Sequence, residues 1–247
     1  MSRHPREDLA YSKACDLAVD LPRLAPEVAW VDSVETALVG QHPIRRWEYA
    51  MALHVIDRWR FQEASRTPLP EAVPVREGFY MAPVQIADIG GGGSYFWQVL
   101  ATLTPTPITV VDMAPVPTLE AGQGSYYQDT VQSYAERAPH NTFDILTAIS
   151  VIEHVKAGEV RPFLRACHRL LKPGGLLFLT TDYWDADGPD TAHFHWMRER
   201  IYTQEAIRRL LISARALGFR SFGIGDWRYA GPQVYDYSVA SLALVTR

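Results

Sequence analysis

Asp88, the glycines Gly90, Gly91, Gly92 and Gly93, and Asp112 are the residues whose types and spacing could do chemistry. Glycines carry no Cβ and accept a positive φ, so a nucleotide-like ligand can lie against bare backbone where the chain enters a helix. Asp112 stands twenty positions after Gly92, at the end of the next apolar run. From there its carboxylate can reach the ribose hydroxyls of an adenosine held by the glycine turn.

What the glycines lack narrows the ligand. A dinucleotide fingerprint needs a third glycine where, counting from Gly90, Tyr95 stands, and a phosphate-binding P-loop needs Gly-Lys-Ser/Thr where Gly93 is followed by Ser94 and Tyr95. Asp88, Gly90 and Gly92 instead fit acid-x-Gly-x-Gly. Downstream, Phe143 to Val155 reads as a buried parallel strand running on through Glu153 and His154. The run Leu170, Leu171, Lys172, Pro173, Gly174, Gly175 ends a helix, because proline stops it and the glycine pair turns the chain into the strand Leu176 to Thr181. In this order the three motifs resemble the class I S-adenosylmethionine-dependent methyltransferases, over about Ala82 to Arg247; the first eighty residues lie outside the resemblance.

The resemblance implies a Rossmann-like α/β fold, a seven-stranded mostly parallel sheet with an antiparallel final strand, binding S-adenosylmethionine and releasing S-adenosylhomocysteine. By the same likeness Asp88 orders the turn through backbone hydrogen bonds, while Gly90, Gly91 and Gly92 let the methionine part approach. Asp112 and the following Met113 serve the ribose side; Asp129, after the short run Tyr126 to Gln128, meets the adenine amino group with Thr130 beside it; Ile149 and Ser150 line the adenosine side. His154 is the candidate general base, since a neutral imidazole can take a proton from a hydroxyl near pH 7. Plainer readings stand beside these: Asp112 as a helix N-cap before Pro115, Asp129 as a solvated turn residue, Glu153-His154 as a structural tail.

The segment Asp182 to Trp196 follows the fifth strand of the sheet, where the ligand crevice of an open α/β sheet lies. Its aromatics, carboxylates and histidines suit a lid over a polar substrate, with Tyr183, Trp184, His193 and His195 as candidate contacts. His193 and His195 would share a face on an extended segment and could join Asp182 or Asp185 around a metal; with no further ligand cluster, a metal-free loop is the expectation. In His42 to Tyr49, Trp47 should pack, while Arg46 or Tyr49 could close over the cofactor carboxylate or the substrate, with plain surface charge as the alternative for Arg46.

These residues need elements to position them. Trp47, Ala50, Met51, Leu53, His54 and Ile56 recur at helical spacing, and residues up to about Ser65 read as mostly helical. Arg66 to Pro83, with four prolines, reads as a connector. Residues 1–81 therefore form an N-terminal helical cap and connector, and 82–247 the cofactor-binding domain with a lid around 182–200. From Pro83 strands and helices alternate, which implies a parallel sheet covered on both faces. Phe219 to Arg228 and Val234 to Val245 read as two strands joined through Ala230, Gly231 and Pro232, too close for a crossover helix, hence antiparallel.

With 247 residues, 47% of them apolar and 21% charged, the chain can bury one sizeable core. Cys15 and Cys167 are too few for a disulfide framework, Met1 to Asp8 is too polar for a signal peptide, and no apolar run approaches a membrane span, so the cytoplasm is expected. A net charge of −4 without a basic stripe argues against nucleic acid as partner. DNA amino methylation is further opposed by Ser150, Val151, Ile152 and Glu153, where enzymes that hold a flipped base usually carry an Asn/Asp/Ser-Pro-Pro-aromatic motif. The expected activity is methyl transfer to a small-molecule acceptor, at oxygen more than nitrogen, on a sugar, a glycolipid head group or a phenolic compound; a homodimer is compatible with this. The alternatives are a catalytically silent cofactor-binding subunit and a nicotinamide-dependent oxidoreductase, the latter opposed by Tyr95 and the Leu170 to Gly175 turn.

Overall fold

The computed structural model describes residues 10–34, 43–64, 73–76, 79–81, 83–92, 96–115, 124–184, 201–228 and 238–247. In chain order these form β1 (Ser12–Lys13), α1 (Leu17–Arg23), α2 (Ala25–Val34), α3 (Pro43–Ala64), β2 (Val73–Arg76), β3 (Phe79–Met81), β4 (Ile86–Ile89), α4 (Phe96–Ala101), β5 (Ile108–Asp112) and β6 (Gly124–Gln128). Then come α5 (Val131–Arg137), β7 (Phe143–Ala148), a short 3₁₀ turn, α6 (Val160–Leu170), β8 (Leu171–Tyr183), α7 (Gln204–Ala216), β9 (Phe219–Ser221), β10 (Gly225–Asp226) and β11 (Ser238–Thr246).

Seven strands form one sheet in the order β6-β5-β4-β7-β8-β11-β9. The pairs β4–β5, β4–β7, β5–β6 and β7–β8 are parallel, and β11 runs antiparallel to both β8 and β9. This is the expected Rossmann-like sheet with its antiparallel last strand. Strand side chains alternate between two cores, as the pleat requires. Leu176 and Phe178 of β8 join α3 and α4 on one face; Leu177 and Leu179 join α5, α6 and α7 on the other. Asp88, Thr180 and Asp182 alternate with residues of the second core, so they stand on the α3 face.

Helix α3 is buried almost all round from Trp47 to Ile56 and lies between α1, α2 and the sheet. A helix so enclosed must satisfy the polar groups it carries. Trp47 donates its indole N–H to Oδ2 of the fully buried Asp20 at 2.9 Å, and Lys13 pairs with Oδ1 of the same carboxylate. Buried Trp47 matches the sequence expectation.

The mostly helical N-terminal segment also carries a strand: β1 pairs in parallel with β10, and Cys15 N–H donates to Val239 of β11 at 2.7 Å. The connector contains the antiparallel pair β2–β3. One sequence expectation is corrected. The strand expected over Phe219 to Arg228 is broken in two by Gly223, whose φ of 72° ends β9, so that β10 leaves β11 and pairs with β1. Residues 229–237, with the expected turn at Gly231, lie outside the described residues. Among the described residues no helix is long and apolar enough to cross a membrane.

Candidate active site

The C-terminal ends of β4, β5, β7 and β8 open on one edge of the sheet, where an α/β fold takes its ligands. At β4 the chain turns through Gly90 with φ 73°, and Gly90 N–H donates to Val111 O at 2.7 Å. A Cβ at Gly90 would collide with Val151, and one at Gly91 with the carboxylate of Asp88. At Gly92 it would lie 2.8 Å from Tyr126 Oη and 2.9 Å from Asp112 Cγ. Four side chains press on three glycines, which leaves the turn no room for side chains.

Both oxygens of Asp112 take backbone amides: Oδ2 accepts from Gly92 N–H at 2.8 Å and Oδ1 from Ala114 N–H at 2.7 Å. The carboxylate is thereby aimed beside the turn, with lone pairs left for a ligand hydroxyl. Tyr126 Oη donates to Ala114 O at 2.7 Å and closes this corner, while Met113 is 71% exposed next to it. Asp88 is fully buried, and Thr147 of β7 donates to its Oδ1 at 2.7 Å. Burial foremost, with Asp112's charge adding, raises the Asp88 carboxyl to about 7, against the lowering effect of the Thr147 bond. Asp129 pairs with Arg137 and accepts from Thr130 N–H at 2.8 Å; the hydroxyl of Thr130 caps α5 by accepting from Ser133 N–H. The structure thus sets Asp129 and Thr130 at the α5 N-terminus and ties Asp129 to Asp112 through a 2.8 Å backbone bond.

A second constellation joins α3 to the ends of β7 and β8. Glu48, fully buried, accepts from Ser150 Oγ at 2.8 Å, Thr180 Oγ1 at 2.5 Å and Arg45 Nη1 at 2.7 Å. Arg45 also donates to Ser150 Oγ at 2.6 Å, and Ser150 N–H to Thr180 Oγ1 at 2.9 Å. Glu48's charge holds the Arg45 guanidinium firmly protonated. Ser150 keeps φ at 51°, a strained value for a serine, held by Glu48, Arg45 and Thr180. Beyond them lie Glu153, 3% exposed, and Asp182, 6% exposed. Burial first and Asp182's charge second push the Glu153 carboxyl well above its usual range.

The remaining candidates divide. Ile149 is buried and Ser150 half-buried at the end of β7. Arg46 is turned away in a two-point pair with Asp32, leaving Arg45, its neighbour, at the site. Tyr49 is stacked on Phe96 in the core, centroids 4.6 Å apart. His154 is exposed while Glu153 beside it is buried. Tyr183 is fully buried and donates to Trp227 O at 2.8 Å; Trp184 is half-buried at the end of β8. His193 and His195 lie outside the described residues. Among the described residues no three His, Cys, Asp or Glu side chains group to hold a metal ion. Arg45, Glu48, Tyr126 and Thr180, which the structure brings to this edge, had no role in the sequence reading; the one available signal was Glu48, an acid amid the apolar positions of α3.

Residues 87–179 match the family model described as a methyltransferase domain. A ubiquinone biosynthesis O-methyltransferase of Pseudomonas putida is 32% identical over 151 residues, 56% of this chain and 63% of that protein. One from Pseudomonas aeruginosa is 34% identical over 137 residues, 50% and 57% respectively. The chain therefore spans about three-fifths of the length of these relatives. Among solved structures, the [4+2]-cyclase SpnF superposes with TM-score 0.55 at 20% identity, covering 81% of this chain and 82% of its own. A SAM-dependent methyltransferase from Leishmania major gives 0.52 at 14% identity, covering 93% and 86%. Sheet order and glycine turn are those of a Rossmann-like α/β fold, and residues 87–179 within it are similar to the methyltransferase domain.

Proposed function

We propose that the protein transfers a methyl group from S-adenosylmethionine to an oxygen of a small-molecule acceptor. The reading rests chiefly on the glycine turn wedged against Asp112, whose carboxylate is aimed by the amides of Gly92 and Ala114. Asp112 would take the ribose hydroxyls, exposed Met113 would cover the adenine, and Asp129 with Thr130 would lie at its rim. Arg45, in the place first given to Arg46, would address the methionine carboxylate with the guanidinium nitrogens Glu48 and Ser150 leave over. The relatives named for O-methylation in ubiquinone biosynthesis favour oxygen over nitrogen, and a phenolic acceptor over a sugar or glycolipid head group.

The donor brings a methyl already activated by its sulfonium, so the protein's part is alignment and removal of a proton. The compartment in this reading is the cytoplasm, with no nucleic-acid partner, and a homodimer is compatible with it. Residues 182–200 would cover the acceptor.

Calorimetry with S-adenosylmethionine and S-adenosylhomocysteine tests the reading. Micromolar binding, roughly 8 kcal/mol, is expected for the wild type and should be lost in Asp112→Ala. Labelled methyl should then pass to catechol. Because SpnF, called a cyclase, shares the fold, binding without any transfer would favour a silent cofactor module instead. No binding of either ligand would overturn the reading.

A further inference from the structure

The side chain of Arg137 takes an unusual course. It belongs to the last residue of α5, where a cation is normally held by the free carbonyls of the helix end. Instead it runs back along the helix: Nε donates to Ser133 O at 3.4 Å and Nη2 pairs with Oδ2 of Asp129, the residue before the capping Thr130. An ion pair whose arginine is 63% exposed adds little to stability, so what this one fixes is the direction of the Asp129 carboxylate. That carboxylate is gripped from two sides, Oδ1 by the Thr130 N–H at 2.8 Å and Oδ2 by Arg137.

Asp129 N–H donates to Asp112 O at 2.8 Å, and Asp112 pairs in register with Gln128, so the two acids stand at the adjacent ends of β5 and β6. Between them the chain after β5 is pinned, at Ala114 O by the Tyr126 hydroxyl and at Met113 O by Gln128 Nε2 at 3.4 Å. Each oxygen of a carboxylate has two lone pairs, and a guanidinium has five N–H groups, of which two are engaged here among the described residues. An acceptor therefore stands beside a donor, with capacity left on both. Adenine carries the complement on its edge, an amino donor next to a ring-nitrogen acceptor. Hypoxanthine reverses both, with a carbonyl next to a ring N–H. The Thr130 N–H, spent on Oδ1, leaves the ring nitrogen to Arg137.

We propose that Arg137 and Asp129 together read the base of the cofactor, Asp129 accepting from the exocyclic amino group and Arg137 donating to the ring nitrogen beside it. This rests on the cofactor part of the methyl-transfer reading above, in which a ribose on Asp112 extends its base across Met113 toward this pair. Arg137 then acts twice, on the base directly and on Asp129 by holding its carboxylate in place. The pair selects adenine over six-oxo purines, because the reversed edge would set acceptor against acceptor and donor against donor.

The test compares S-adenosylhomocysteine with S-inosylhomocysteine, which carries hypoxanthine in place of adenine, by calorimetry on the wild type, Arg137→Met and Asp129→Asn. The wild type should prefer the adenine ligand by about 100-fold or more, since a site built to hydrogen-bond one edge rejects its reverse. Arg137→Met keeps the apolar stem and loses every donor; it should weaken S-adenosylhomocysteine about 10-fold and leave S-inosylhomocysteine within about 2-fold, so that the preference narrows. Asp129→Asn, whose amide can turn a donor toward the carbonyl, should narrow it from the other side by tightening S-inosylhomocysteine. Urea-unfolding midpoints close to the wild type's are expected for both variants and show that they fold. Equal weakening of the two ligands in Arg137→Met, an unchanged preference in both variants, or a wild type that binds the two ligands alike would overturn the proposal and leave cofactor binding standing. A wild type that binds neither ligand would remove the cofactor reading and this proposal with it.

Discussion

Around the glycine turn, contacts join residues near in sequence and run through backbone: Gly92 N–H meets a carboxylate twenty residues on, and three missing Cβ atoms make the space. At the ends of β7 and β8 the contacts are between side chains far apart in the chain, Glu48 reaching Ser150 across 102 residues and Thr180 across 132. The first region is shaped by what is absent, with Asp88 as its fully buried acid. The second holds a buried ion pair, a strained serine and two further acids, and it exists only if α3 seats on the sheet.

The contrast breaks most readily at Glu48. Glu48→Ala leaves Arg45, Ser150 and Thr180 without their shared acceptor, and should cost about 3–5 kcal/mol in urea unfolding while S-adenosylhomocysteine affinity of the folded protein changes little. If affinity fell by a comparable amount, the two regions would be one unit.

Asp88 supplies a pH-dependent test. Its carboxyl titrates at 3.8 when unfolded and about 7 when folded, so the folded state binds the proton more tightly. The stability this lends is complete below pH 3.8 and is lost as pH rises through 7, up to about 4 kcal/mol. Asp88→Asn, which has no proton to lose and can still accept from Thr147, should match the wild type near pH 4 and exceed it at pH 8. Parallel stability–pH curves for the two proteins would show that the buried carboxyl is not the cause.

Gly91→Ala works in the opposite sense from Glu48→Ala: its methyl strikes the Asp88 carboxylate, and S-adenosylhomocysteine binding should fall about 100-fold, close to 2.7 kcal/mol. Removing the hydroxyl that holds Asp88, by Thr147→Val, should cost about 1–3 kcal/mol at pH 8 and less at pH 4, measured by the same unfolding curves. The smallest effect belongs to Arg46→Ala. Its pair with Asp32 is about one-third exposed, so stability should change by less than about 1 kcal/mol and cofactor affinity not at all, whereas Arg45→Ala should lower that affinity.

The glycine turn, Asp112 and the parallel core were legible because each depends on a short run of sequence: an apolar strand, an acid, glycines and a helix leave their period and punctuation in adjacent residues. Arg46 against Arg45 was not legible, since adjacent residues on a helix point about 100° apart and only the seating of α3 decides which one faces the sheet edge. The broken β9–β10 segment was hidden for a similar reason: Gly223 marks a break, but the partner that makes β10 a strand is β1, more than two hundred residues away.

The sequence by itself determined the fold class, the strand-end acids and the turn that admits no side chain, because periodicity and glycine conformation are local properties of the chain. The tertiary structure alone decided which charges are buried together. It took Glu48 into the core against Ser150 and Thr180, left His154 in solvent and buried Glu153 beside it. Burial and long-range pairing fix the ionisation of such groups, and neither is written in the spacing of residues along the chain.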